Sequence, residues 1–304
     1  MKTYAIIGAT GNTGKPITLG LLGQGQKVRL ISRSAAKAKA LVNSALPAPS
    51  NNPPEIFEGD SSNTELLKKA FKGADAVYAM VPFNPLAPDY FAFQQSHVNA
   101  MAEALRETGV KYVVTLSSVG AHLNSGAGVV QGLQEMEEVF NAIPGLNVMH
   151  LRATYFMENT LAQIGAIKQM GAMGSPVKAD ISFPIVATKD IAAVALKHLQ
   201  TLNFTGKNVE YVLGPRDVTY NEIASVIGKA IGKPDLKYYA VTFEEGTKAM
   251  IQMGMGESVV SRMMEFIKAM NEGKVMEETK RTPGNTTNTT LEEFAHTFKA
   301  VYEM

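Results

Sequence analysis

The chain has 304 residues, a formal charge of +1, 19% charged residues and no cysteine. That length suffices for one large or two modest domains, while the near-neutral balance excludes a nucleic-acid face and an acidic tail. The missing cysteines exclude disulfides, thiolate catalysis and cysteine metal sites and point to a reducing cytoplasm; no apolar run is long enough for a membrane span, and the opening residues lack the apolar region of a signal peptide.

"YAIIGA" (4–9) reads as a buried strand, and Lys15 to Gln24 as a helix with Ile17, Leu21 and Leu22 on one face. A second strand is expected over 27–33, then a helix from Ala35 to Val42 and a proline-rich surface loop over 43–55. Strands over 55–60, 75–82, 111–118 and 147–152 alternate with helices over 64–71, 90–108 and 131–142. Strands apolar on both faces, alternating with helices, specify a parallel sheet covered on both sides. The right-handed crossover rule then makes the fold α/β, a Rossmann-type doubly wound parallel sheet. Beyond residue 153 the rhythm changes. Residues 1–155 are assigned to a dinucleotide-binding domain and 156–304 to a smaller C-terminal substrate lobe, with 181–215 returning to the sheet.

"IIGATGNTGK" (6–15) places Gly8, Gly11 and Gly14 three apart behind the first strand. In a strand–turn–helix unit such a turn lets a backbone approach a pyrophosphate, and the next helix aims free N–H groups at it. A nucleoside-triphosphate loop would need glycine where Ala9 stands and Ser or Thr where Pro16 stands, so that reading fails. Thr10, Asn12 and Thr13 complete the expected pyrophosphate seat. At the end of the second strand stand Ser32, Arg33 and Ser34, with Lys37 one turn later and no acid before Glu55. A carboxylate there would repel a 2′-phosphate and a guanidinium would pair with it, so NADP(H) is expected over NAD(H). Asp60 and Ser61 are expected at the adenine edge, and Met80, Val81, Pro82 and Ser117 beside the nicotinamide half.

None of the ten tyrosines is followed four residues later by lysine, so the usual carbonyl proton relay of short-chain dehydrogenases is missing. An electron-poor acceptor asks for less: an apolar slot with aromatic walls and one or two polar anchors. Phe83, Tyr155 and Phe156 supply expected walls, Tyr155 also reaching the cofactor. Ser118, His122 and Asn159 are anchors, with Ser118 and His122 the catalytic candidates. His122 could protonate a reduced product; as an isolated loop histidine it also reads as exposed. Glu135, Glu137 and Glu138 read as a solvated helix face. His97, His122, His150, His198 and His296 show no metal spacing, so no metal is expected. Methionines at 250, 253, 255, 263, 264, 270 and 276 suit core filling, a subunit contact in a homodimer, or a pocket for flat substrates, and Gly254 and Gly256 suggest a break in that stretch and a lid.

"GATGNTG", the lone Arg33, "FEGDSSN", "GVKYVVTLSS", "NVMHLRATYFMEN" and "TKDIAAVAL" together resemble the NmrA-like branch of atypical short-chain dehydrogenases, over roughly residues 1–240. The family includes quinone reductases, azo-dye or triphenylmethane-dye reductases, aryl-ether reductases and NADP-binding regulators. Where the aryl-ether reductases place a lysine this chain has Gln134 or its neighbours, which argues against that subgroup. The resemblance implies an NADPH-dependent reductase of a small aromatic or quinone-like substrate by direct hydride transfer. Its alternative is an NADP(H)-sensing regulator acting through a protein partner.

Overall fold

The computed structural model describes residues 1–45 and 53–304. In chain order the first part is β1 (Thr3–Ile7), α1 (Gly14–Gly23), β2 (Lys27–Ser32), α2 (Ala35–Ala45), β3 (Glu55–Glu58), α3 (Thr64–Phe71), β4 (Ala76–Ala79), α4 (Tyr90–Thr108), β5 (Tyr112–Ser118), α5 (Gln131–Asn141) and β6 (Asn147–Ala153). There follow β7 (Tyr155–Phe156), α6 (Ile164–Met170), β8 (Ala172–Ser175), β9 (Phe183–Val186), α7 (Thr188–Thr201), β10 (Lys207–Val212), β11 (Asp217–Val218), α8 (Tyr220–Ala230), β12 (Lys237–Ala240), α9 (Phe243–Gln252), α10 (Glu257–Asn271) and α11 (Leu291–Tyr302). Helix α2 runs three residues past its expected end, and most of the expected proline-rich loop lies outside the described residues.

Seven parallel strands form one sheet in the order β3-β2-β1-β4-β5-β6-β10. The expected doubly wound parallel sheet is therefore present. One face carries α1 and α7, whose Ile17, Leu21, Ile191 and Leu199 pack on Ile6, Leu30 and Val114. The other carries α3, α4 and α5, whose Phe71, Met101 and Phe140 pack on Ile7, Val77 and Val113. Strand residues of alternating parity enter both cores, which is why these strands read as continuous apolar runs. The order in which strands are added reverses between β1 and β4, and at such a switch point a crevice is formed beyond the carboxyl ends of the strands.

Of residues 181–215, β10 is the seventh strand and α7 covers the sheet, whereas β9 pairs with β7 and β11 in a small sheet. A third core holds Met157, Phe183, Tyr220, Ile223, Met270 and Phe298. Among the methionines, Met250, Met264 and Met276 pack around this core, Met255 and Met263 against Ala87, Tyr90 and Val259, and Met253 is exposed. Gly254, with φ of 88°, sits between α9 and α10. The next segment is tied down: Gly256 N–H donates to the Pro85 carbonyl at 2.8 Å, and Tyr90 N–H donates to Ser258 Oγ at 2.9 Å.

His150 on β6 is fully buried between Thr115 Oγ1 (2.8 Å) and Asn141 Oδ1 (3.1 Å). Burial lowers its pKa from 6.5 to about 4. The unfolded chain therefore binds a proton here that the folded chain rejects, so stability present above pH 6.5 is lost as the pH falls towards about 4. Urea unfolding measured across this window should show that slope, and a His150→Gln variant should show a shallower one.

Candidate functional site

The turn after β1 opens onto the crevice. Gly8 has φ of +68°, and a Cβ there would lie 2.8 Å from Met80 Sδ at the end of β4, so this glycine joins both walls. Gly11 N–H donates to Gly8 O at 2.8 Å, and a Cβ on Gly14 would stand 2.1 Å from that oxygen. Gly14 thus lets α1 start against the strand, while Gly11 is exposed and its only close neighbour is the turn itself. The first turn of α1 carries no acid and no side-chain cap, leaving its N–H groups for an anion. This bare-backbone cradle fits a pyrophosphate.

Thr13 departs from expectation. Its side chain is buried and its hydroxyl accepts from Tyr78 Oη at 2.9 Å, so only its backbone faces the turn's ligand side. Asn12 is exposed and Thr10 half-buried, 3.5 Å from Ser32 Oγ. Thr10 also lines a cleft of about 320 Å³ with Lys15, Lys37, Ala40, Leu41 and Ser44. Two lysines and no carboxylate line it. Lys15 follows the third glycine in the sequence, and the facing α2 brings it into this cleft. Arg33 is exposed and, among the described residues, makes no ion pair, while Glu58 is spent accepting from Ala35 N–H at 2.8 Å. Arg33 and Lys37 fit a 2′-phosphate.

Asp60 is half-exposed and accepts from Ser62 N (3.0 Å) and Oγ (2.7 Å). Partial burial opposes its charge, but those bonds, His97 and Arg33 outweigh it and lower its pKa. Ser61 does not reach outward as expected: it is buried, its hydroxyl 2.9 Å from His97 Nδ1. Burial lowers the pKa of His97, and His97 Nε2 lies 3.5 Å from Asp60. At the other end of the crevice Met80, Val81 and Pro82 are half-buried, and Phe83 is 52% exposed with its ring edge-on to Tyr90.

Strand parity separates the two serines of β5. Ser118 is half-buried at the strand end. Ser117 belongs to the opposite face, where its hydroxyl donates to Glu137 Oε1 at 2.5 Å, so its side chain is committed to α5. The acidic helix face is also not solvated: Glu137 is 5% exposed and Glu135 is half-buried, leaving only Glu138 in water. Glu137 shares its side of α5 with the buried Met136 and Phe140, and it meets Arg152 of β6 through Nε at 3.1 Å and Nη2 at 2.7 Å. Burial works against the Arg152 charge, but its bonds and attraction to Glu137 outweigh that and raise its pKa. Arg152 Nη1 reaches Tyr211 Oη (3.0 Å) and Glu278 Oε2 (3.3 Å).

His122 is not exposed. Its side chain is 10% accessible, and neither ring nitrogen has a hydrogen-bond partner among the described residues. An unpaired buried polar group costs roughly 1–3 kcal/mol, a cost borne most readily where a ligand completes the bond. Tyr155 and Phe156 diverge. Phe156 packs towards the α1 side of the sheet, whereas Tyr155 joins Phe183, Tyr220 and Tyr238 in an aromatic cluster of the C-terminal lobe. Tyr220 Oη donates to Tyr155 Oη at 3.0 Å, and burial raises the Tyr155 pKa more than that bond lowers it. Asn159 is exposed on the turn of 157–163. No group of three or more His, Asp or Glu among the described residues is placed to hold a metal, and no described helix is long and apolar enough to cross a membrane.

The NmrA-like family model matches residues 1–295. The chain belongs to the NmrA-like family. It is 29% identical over 266 residues to an NAD(P)H azoreductase from Xenophilus azovorans, covering 86% of this chain and 85% of that protein. Its fold is similar to that of an NADPH-dependent quinone oxidoreductase from Escherichia coli complexed with NADPH (TM-score 0.77, 20% identity, 96% and 98% of the two chains). It is also similar to a triphenylmethane reductase from Citrobacter sp. complexed with NADP(H) (TM-score 0.70, 19% identity, 97% and 99%). Across this family-wide match, α5 of this chain carries neither tyrosine nor lysine.

Proposed function

We propose that this NmrA-like protein is an NADPH-dependent reductase of quinones, azo dyes or similarly conjugated acceptors, working without a tyrosine–lysine relay. The observation that carries the reading is the glycine turn at the switch point, continued by Arg33 and Lys37 with Glu58 diverted to the α2 amide. NADPH, when bound, supplies the hydride. The backbone of Gly8 to Gly14 holds the pyrophosphate, Arg33 and Lys37 the 2′-phosphate, and Asp60 the adenosine end. Met80, Val81, Pro82 and Ser118 border the reacting end, Phe83 and Phe156 wall the acceptor slot, and Tyr155 and Asn159 bound it on the lobe side. His122, buried with both nitrogens unpaired, is placed to donate a proton to the oxygen or nitrogen that becomes anionic. The named activities of the azoreductase and of the quinone and triphenylmethane reductases support this over a non-catalytic regulator.

The test is NADPH oxidation by purified protein against quinones, azo dyes and triphenylmethane dyes, with NADH in parallel. Turnover faster with NADPH is expected; tight NADPH binding with no turnover on any acceptor would overturn the reading. Arg33→Glu should raise the KM for NADPH by more than about tenfold, because it replaces an attraction to the 2′-phosphate with repulsion, and should leave NADH nearly unchanged. Equal effects on both cofactors would remove Arg33 from the 2′-phosphate site.

A further inference from the structure

His122 poses a supply problem. If it donates a proton, it must regain one, yet its nitrogens are sealed from solvent and no described side chain hydrogen-bonds to either. Among the described residues the one carboxylate within ion-pair reach is Glu278, whose Oε2 stands 4.0 Å from His122 Nδ1. Glu278 is 55% exposed where His122 is 10%, so a single side chain touches both bulk water and the buried ring's surroundings. It does not belong to the Rossmann sheet: it arrives on the segment between α10 and α11, 126 residues after Arg152 and 67 after Tyr211.

Its position is fixed from below. Tyr211 Oη donates to Glu278 Oε2 at 3.0 Å and Arg152 Nη1 at 3.3 Å, and Arg152 is in turn clamped by both oxygens of Glu137. Arg152, Tyr211 and Ser117 sit side by side on β6, β10 and β5, where the parallel register pairs Ser117 with Arg152 and Arg152 with Tyr211. A row across three strands therefore aims one half-exposed carboxylate at one buried imidazole. The charged groups facing His122 on this side are Glu278 and, behind it, Arg152 and Glu137.

We propose that Glu278 is the proton-delivery residue of this site, carrying protons from solvent to His122. The inference rests on the reductase reading for its purpose, but the delivery step can be observed without it. In turnover the acceptor gains two electrons and one hydrogen as hydride. As the His122 N–H bond breaks, an O–H or N–H bond forms on the reduced acceptor. The bond that breaks is Nε2–H of the neutral ring, and Nδ1 takes the Glu278 carboxyl proton as it does so, leaving the ring neutral with its proton on Nδ1. Hydronium or a buffer acid reprotonates the carboxylate and a ring flip restores an N–H towards the acceptor, so the proton the product gains comes from solvent. Arg152 and Tyr211 are positioning residues that hold the carboxylate.

The first experiment uses the full chain with no cofactor or acceptor. The exchange of the His122 ring N–H with water is measured by NMR on 15N-histidine-labelled protein, with His122→Gln assigning the resonance. Glu278→Gln keeps the shape and the acceptor for Tyr211 but cannot carry a proton. It should slow that exchange by about tenfold or more, and added formate or imidazole buffer should restore it. The second experiment is turnover with a quinone: Glu278→Gln should lower kcat with the KM for NADPH unchanged, and the same buffers should rescue kcat. A merely structural role gives no buffer rescue. Unchanged N–H exchange, or a loss of kcat that buffer does not repair, overturns the proposal. Absence of turnover in the unmodified protein would instead overturn the reductase reading, leaving the exchange measurement to decide on Glu278.

Discussion

Gly14→Ala is expected to abolish measurable NADPH binding and to lower stability at the same time. The added Cβ would stand 2.1 Å from Gly8 O and 2.7 Å from Gly8 C, and both are backbone atoms that cannot step aside as a side-chain tip would. Either α1 withdraws from the strand or the turn deforms, and both routes misplace the N–H groups that meet the pyrophosphate. Overpacking of this kind costs roughly 1–3 kcal/mol of folding stability. A loss of affinity of about 100-fold, some 2.7 kcal/mol, is the expected floor for binding. Gly11→Val separates the two effects. Gly11 is exposed, and a Cβ there meets only Gly8 O at 3.2 Å, so the chain should fold with little change while the new side chain occupies the ligand's approach. Fluorescence titration with NADPH and thermal melting of both variants check this. A Gly14→Ala protein that binds NADPH normally would mean the helix start is not the phosphate seat; normal binding by Gly11→Val would mean the turn's outer face is not.

Glu137→Ala should be among the most destabilising single substitutions in the protein. It removes the bidentate partner of Arg152 at a position 5% exposed, strands a guanidinium that is itself 12% accessible, and leaves the Ser117 hydroxyl without its acceptor. Breaking a buried pair from one side typically costs about 3–5 kcal/mol, because the remaining charge keeps its desolvation penalty. The double variant Glu137→Leu with Arg152→Leu should regain a large part of that loss, since the only charge it leaves without this partner is the solvent-exposed Glu278 carboxylate. Urea unfolding of the single and double variants measures both quantities. A single variant within about 1 kcal/mol of the unmodified chain would show that water reaches Arg152 in solution. Because Arg152 also holds Glu278, the double variant should recover stability without recovering proton delivery, which separates the two roles of this pair.

The exposed Phe83, the docked segment around Gly256 and the buried His122 belong to three different stretches of chain: the loop after β4, the turn between α9 and α10, and the loop after β5. The lid suggested by Gly254 and Gly256 is hydrogen-bonded to Pro85 and Tyr90 here, so opening it would break those two contacts.

What could be read without coordinates was whatever depends on residues close together in the chain. Continuous apolar runs such as 76–79 and 112–114 announce strands buried on both faces. The three-residue glycine spacing announces a turn, and Ser32-Arg33-Ser34 the electrostatics at the next strand end. These follow from local geometry and period, so the Rossmann-type sheet and its glycine turn were both legible. The partners of polar side chains were not. Thr13 is turned inward by Tyr78, 65 residues away, and Ser61 is taken by His97, 36 away. Glu137 looks like one of three solvated acids until β6 brings Arg152 beneath it, and His122 looks like a loose loop residue until the C-terminal segment closes over it with Glu278. The short strands β7, β8, β11 and β12 were equally silent, since two to four residues outside the regular strand–helix alternation show no period. In each case the deciding interaction is a hydrogen bond or ion pair between elements that only packing of the chain brings together, and such a pairing leaves no periodic trace along the chain.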